Sequence, residues 1–479
     1  MTRVSASTAW QWLIVAVFIG LISVSPSLNL TPSSLIVTSF HDSQRLLELL
    51  LIALVLLNSL AFRNKKSYFL VNQTVSYALY GVIALAISTS YLAHSPRHAL
   101  LEISLFAGLS YLTIFVARLY HENNTLFITR LSDILWAGIL LCMVSFYVGY
   151  LTATIFKTPL TWPAPFHGFS NIRSFNQYQL WTLGLITLPL LTFDFKNAQT
   201  RRYLHLGLVA WWVLLFYSAS RGALFAWALG IFITASIYKK SAWPFIRLQL
   251  MHMTAGFLSY EILFQLIPYL RSTVLVTGTI LRDSTSNRIA LWQHSLSLIQ
   301  EHPVFGIGPM HFAWLSQTSA HPHNSVLQVM AEWGLPAALI ILTIAGYGVA
   351  CWLKRFNAHN LQAETKLNRH LAIVLFFTLT TCAAYSLVDG VIVMPISQVM
   401  MFTLIGLMMG FYRDRQFSGA EVKVEANKMV WFKPIFAGVV LLTLAWSAFP
   451  EISQSASGSE KRFSMGYSAT GPRIWLELK

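Results

Sequence analysis

The sequence predicts an all-α polytopic membrane protein with about 12–13 transmembrane helices. Composition is the first reason: 55% of the 479 residues are hydrophobic and only 11% are charged, where a soluble domain carries about 25% charged residues. The second is spacing. Apolar stretches near the roughly 20 residues that cross a bilayer recur along the whole chain, with no soluble domain between them and no obvious internal repeat. A helix satisfies its own backbone in a medium without water, so these stretches read as helices.

Thirteen candidate spans follow in order: 9–25, 46–62, 76–93, 99–117, 133–154, 178–195, 203–218, 222–238, 248–268, 324–353, 370–388, 391–412 and 430–449. Residues 9–25 lack a strongly charged leading region and a small-residue cleavage site, so they read as a retained first span rather than a signal peptide. The N-terminus is assigned to the cytoplasm by the positive-inside rule. Each inward loop between spans then holds at least two lysines or arginines, from Arg63, Lys65 and Lys66 through to Arg413, Arg415, Lys423, Lys428 and Lys433. The short turns at 219–221 and 389–390 are the weakest points of this count. Residues 1–449 form one integral membrane domain and 450–479 a short tail.

The formal charge of +15 does not imply nucleic acid, because it is spread over those loops and forms no contiguous basic stripe. Cys142, Cys351 and Cys382 each sit in an apolar run, so neither a disulfide framework nor a thiolate metal site is indicated.

The outward side holds the long segment 269–323, the loop 155–177 and the two short turns. Within the long segment, residues 286–301 read as an amphipathic helix with Ile289, Trp292, Leu296 and Ile299 at helical spacing. Ser284, Thr285 or Ser286 could cap it, and His302-Pro303 stops it. Such a helix is expected on the membrane surface or over a cavity, as a lid. Gly306-Ile307-Gly308-Pro309 allows a sharp turn. His321-Pro322-His323-Asn324 then leads into the tenth span, where Gly334-Leu335-Pro336 should divide a short outer piece from the true crossing.

Asn324, Gln328 and Glu332 share one helix face; that stripe is either site lining or interhelical hydrogen bonding. His323 can exchange a proton near neutral pH, although a lone histidine at a helix start is often structural. His321 is the less certain of the two histidines. No HExxH, CxxC or carboxylate cluster accompanies them, so no metal is expected. Arg221, in Ser220-Arg221-Gly222-Ala223, either snorkels or meets a ligand through its small neighbours. With Arg288 it could clamp a pyrophosphate, because guanidinium forks match phosphate oxygens bidentately. Arg173, Asn176 and Gln177, in the polar stretch before the sixth span, suit sugar hydroxyls. Asp389, at the outward turn between the eleventh and twelfth spans, and Glu261 in the ninth span are each either functional or partners for a buried arginine.

The stretch from Arg288 to Pro336 resembles the signature region of the O-antigen ligase and polymerase superfamily. The resemblance rests on Arg288 with Trp292, then His302-Pro303-Val304-Phe305-Gly306-Ile307-Gly308, then His321-Pro322-His323-Asn324 and Glu332-Trp333-Gly334-Leu335. Ser220-Arg221-Gly222-Ala223 is similar to the family's earlier arginine motif, so the detailed likeness covers residues 218–336.

The resemblance implies an enzyme of the bacterial inner membrane with its active site facing the periplasm. It would move a glycan from undecaprenyl pyrophosphate to an acceptor hydroxyl, with inversion and without metal or other cofactor. O-antigen ligation onto lipid A–core is the first expectation for this step of lipopolysaccharide biosynthesis. Protein (pilin) O-oligosaccharyltransferase and O-antigen polymerase are the alternatives. His323, Arg288 and Arg221 are the expected catalytic residues. Asn324, His321, Arg173, Asn176, Gln177, Glu332 and Asp389 are the expected substrate-binding residues. A lipid-linked glycan flippase is the rival from another class, but it would spread its charged residues through the midplane, often in repeated halves.

Overall fold

The computed structural model describes residues 6–30, 39–61, 73–161, 166, 168–169, 171–194, 197–271, 275–276, 287–316, 319–416 and 432–455. Among these the fold is almost wholly helical. The exception is a two-residue parallel pairing of β1 (Leu160–Thr161) with β2 (Leu275–Val276).

Among the described residues, seven helical stretches are long and apolar enough to cross a membrane. The first part of the chain comprises α1 (Ala6–Ile19), α2 (Phe40–Ala61), α3 (Gln73–Leu92) and α4 (Pro96–Phe156). Helix α4 has 61 residues, about 90 Å at 1.5 Å per residue and far more than the roughly 30 Å of a bilayer core. Its non-helical break at Asn124 (φ 39°, ψ −109°) falls between the fourth and fifth expected spans. Next come α5 (Ile172–Leu185), α6 (Leu188–Thr192), α7 (Ala198–Tyr217), α8 (Arg221–Tyr238), α9 (Trp243–Glu261) and α10 (Ile267–Arg271). The run Arg221–Arg271 is again long enough for two crossings at 51 residues, with a turn at Lys239 (φ 49°). The last part holds α11 (Arg288–Glu301), α12 (Phe312–Leu315), α13 (Ser325–Arg355), α14 (Lys366–Ser386), α15 (Pro395–Gln416) and α16 (Phe432–Ser455).

Helix α14 packs between α8 and α5, and α4 packs on α15, α16 and α2. Apolar side chains gain little by leaving lipid for protein, so close packing and interhelical hydrogen bonds carry the association, at roughly 0.6–2 kcal/mol per bond. Three such bonds surround α5. Gln179 donates to the Trp211 carbonyl (2.7 Å), Trp181 donates to Ser397 (2.8 Å), and Gln249 donates to the Leu183 carbonyl (3.1 Å).

Three expectations need correction. The polar stretch Arg173–Gln177 is not loop: Asn171 accepts from the amides of Arg173 and Ser174 and starts α5 there. The turn at 389–390 is longer than two residues, because α14 ends at Ser386 and α15 begins at Pro395. Helix α11 buries Leu291, Ser295, Leu298 and Ile299, while Ile289 and Leu296 stay exposed. The helix carries a second apolar stripe, and α13 takes the other one. The proposed caps Ser284, Thr285 and Ser286 lie outside the described residues; Asn287 holds the N-cap position.

Candidate active site at four helix starts

Four helix starts bring the site together. Arg173 lies in the first turn of α5, Arg221 and Arg288 open α8 and α11, and Asn324 caps α13. The unsatisfied amides and positive dipole end of a helix start favour an anion. Three starts are entered through a non-glycine residue of positive φ: Ala219 at 53°, Asn287 at 59° and His323 at 54°. Such backbone is unusual outside glycine and gathers at functional sites.

The three guanidiniums are close enough to act on one another. Burial, and after it the charge of Arg173, hold the Arg288 guanidinium below its ordinary value; Asp389 and Tyr385 act in the opposite sense, and Arg221 adds to the depression. Arg288 is still a cation at any physiological pH. Like charges held together in this way are relieved by an anion.

Arg173 Nη1 lies 3.0 Å from His323 Nε2. A guanidinium can only donate, so Nε2 is the acceptor and the imidazole proton sits on Nδ1. That nitrogen is 3.4 Å from Asp389 Oδ1. Asp389 is 1% exposed. Burial pushes its carboxyl up, but His323 at this distance, the Tyr385 hydroxyl and the Gly390 amide outweigh that and hold it below its ordinary value. A buried carboxylate thus orients an imidazole whose other nitrogen faces the arginines, the arrangement of a general base.

The glycine-containing turn after α11 is a clip onto α13. Ile307 N donates to Ala331 O (2.9 Å), Gly308 N to Glu332 O (3.0 Å) and Leu335 N to Pro303 O (2.9 Å). Those carbonyls are available because α13 is broken at Gly334 (φ 81°, ψ 163°), as Gly334-Leu335-Pro336 predicts. A Cβ on Gly334 would stand 2.1 Å from Val304 O, and one on Gly306 would stand 2.6 Å from the Glu332 backbone. Trp292 Nε1 completes the clip by donating to Pro322 O (3.1 Å), which ties α11 to the histidine turn.

Arg173, Arg221, Arg288, His323 and Asp389 therefore share one site. His321 stacks against His323, with ring centroids 4.2 Å apart, and lies over Gly390. Asn324 spends its side-chain oxygen on the amides of Val326 and Leu327. Glu332 is fully buried and accepts from Phe312 N (3.0 Å) and Gln328 (3.4 Å), so it fastens the clip. Asn176 donates to Ser218 Oγ (2.8 Å), joining α5 to α7, and Gln177 is buried one turn below Arg173. Two neighbours escaped the sequence reading. Tyr385 packs on Asp389 and Ser220, and its spacing of four from Asp389 was the available signal. Ser319 Oγ donates to His321 O (2.8 Å) and lies 3.5 Å from His323 Nε2.

His321, His323 and Asp389 are also spaced to hold a metal ion, with ligand atoms within 4.8 Å of one another. The charge around them argues for an anion instead: one guanidinium takes His323 Nε2 and two more lie close by.

No curated protein matches the chain. Residues 206–342 match the family model of the O-antigen ligases. The matched segment runs from α7 into α13 and encloses Arg221, Arg288, the clip and the histidine turn; Arg173 and Asp389 fall outside it. Over those residues the chain is similar to the O-antigen ligases, and its long apolar helices are those of a multi-pass membrane protein.

Proposed function

We propose that the protein transfers a glycan from undecaprenyl pyrophosphate to an acceptor hydroxyl at the periplasmic face of the inner membrane, and that it is an O-antigen ligase acting on lipid A–core. The observation that carries this reading is the convergence of three arginines with a His323–Asp389 pair. Two phosphate groups match several guanidinium forks, and a hydroxyl nucleophile needs a base.

The donor diphosphate binds Arg173, Arg221 and Arg288. Arg173 leaves His323 Nε2 for a phosphate oxygen, which frees the base. The acceptor O–H gives its proton to Nε2 as its oxygen attacks the anomeric carbon from the face opposite the phosphate. The new C–O bond forms, the anomeric C–O bond to phosphate breaks, and the pyrophosphate leaves with both electrons. The arginines stabilise that charge, and Asp389 stabilises the imidazolium until it returns its proton. None of these steps needs a metal.

The test uses the purified full-length chain with lipid-linked glycan and lipid A–core extracted from the host. Acceptor-dependent release of undecaprenyl pyrophosphate, unchanged by chelator, is expected. Transbilayer movement of the donor without release would indicate a flippase. A ladder of products would indicate a polymerase, and labelling of pilin in place of lipid A–core a protein oligosaccharyltransferase.

A further inference from the structure

Helix α2 carries a buried ion pair that the reaction above does not use. Arg45 is 1% exposed and Glu48 is fully buried; they are paired with each other. Ionisable side chains inside membrane helices are costly and rarely present without a task. The task of this pair is visible in its remaining bonds. Arg45 Nη2 donates to Val393 O (2.6 Å) and Nη1 donates to Gln398 Oε1 (2.6 Å). Gln398 in turn donates from Nε2 to Ile392 O (2.8 Å).

Ile392 and Val393 belong to the segment between α14 and α15 that carries Asp389. The segment closes on itself, because Val393 N donates to Gly390 O (3.1 Å) and Gly390 N donates to Asp389 Oδ1 (2.7 Å). Two consecutive carbonyls of this segment are thus held from α2 and α15, a few residues from the carboxylate. His321 covers Gly390 from the other side.

We propose that Arg45, held by Glu48 and acting with Gln398, positions Asp389 against His323. Arg45 and Gln398 are positioning residues: their bonds to Ile392 and Val393 act through the backbone of residues 390–393. The inference rests on the reading of His323 and Asp389 as the base and its orienting carboxylate. It assigns a role to the outer end of α2, far outside the segment that matches the family.

The test is a double-mutant cycle on turnover. The full-length protein is supplied with lipid-linked glycan and acceptor extracted from host membranes. Gln398→Met keeps the volume and removes both of its bonds without stranding a full charge. A misplacement of about 1 Å in a catalytic group costs on the order of a hundredfold, so a roughly tenfold or greater loss of kcat is expected, with the donor KM unchanged. In an Asp389→Asn background Gln398→Met should have no further effect, because the carboxylate it positions is gone. A merely destabilising substitution would act equally in both backgrounds. Arg45→Lys, which keeps the charge but cannot reach three acceptors, should repeat the pattern and covers the case in which Gln398→Met does not fold. Full activity of Gln398→Met, or an equal loss in both backgrounds, overturns the inference. Full activity of Asp389→Asn overturns the underlying reading instead.

Discussion

Replacing Asp389 by Asn keeps the shape of the side chain and its acceptor for the Gly390 amide, and removes the charge. In the transition state of the proposed reaction the imidazole becomes a cation 3.4 Å from that position. At an effective dielectric constant of about 20, a full charge pair at this distance is worth roughly 5 kcal/mol. The residual amide dipole and partial proton transfer reduce the loss to about 3–4 kcal/mol, or two to three orders of magnitude at about 1.4 kcal/mol per tenfold. Single-turnover release of glycan from the lipid-linked donor, with enzyme in excess, reads this step without product release. The donor KM should stay within a few-fold, since the arginines are untouched. A rate within threefold of the wild type would refute the role given to Asp389 and the His323 tautomer inferred from Arg173.

Arg221→Lys and Arg288→Lys should each weaken donor binding by about 1.5–3 kcal/mol, because one amine cannot replace a bidentate fork; competition by undecaprenyl pyrophosphate measures this. Gly334→Ala should destabilise the fold by about 2 kcal/mol or more from backbone conformation alone, with the 2.1 Å approach to Val304 O adding to it; a lower thermal midpoint in detergent reads this. The depressed Asp389 carboxyl contributes stability that is complete above the unfolded value of about 3.9 and is lost as pH falls through the lower folded value. Acid melts of the wild type should therefore show a component that Asp389→Asn lacks.

The spans were legible because hydropathy reports contact with lipid, and the break in α13 because Gly334 and Pro336 interrupt a helix for local reasons. The interior was less so. Apolar side chains facing lipid and those facing protein have the same composition, so the sequence could not say which stripe of α11 meets α13. Glu332 and Asn324 stood out as polar residues beside a membrane segment, yet their bonds go to nearby amides. Local polarity does not distinguish a cap from a ligand. The pairing of Arg173 with His323 spans 150 residues, and no periodicity encodes it. Tyr385 is one of many aromatics in the chain, and only the fold shows it against Asp389.

The clip divides the site between two bodies. Helix α11, the turn after it and the outer piece of α13 are joined through Pro303, Ala331, Glu332 and Pro322, around a hydrophobic cluster of their own that includes Leu291, Phe312 and Ala331. Arg288 and His323 belong to this body, whereas Arg173 and Arg221 on their helices and Asp389 in the α14–α15 segment belong to the main bundle. The seam runs between His323 and Asp389. On the proposed mechanism, a tilt of the outer body that admits a bulky acceptor would part His323 from Asp389, and the pair would be restored only on closure over both substrates. Access and reactivity would then be mutually exclusive, which would protect a lipid-linked donor from being spent on water.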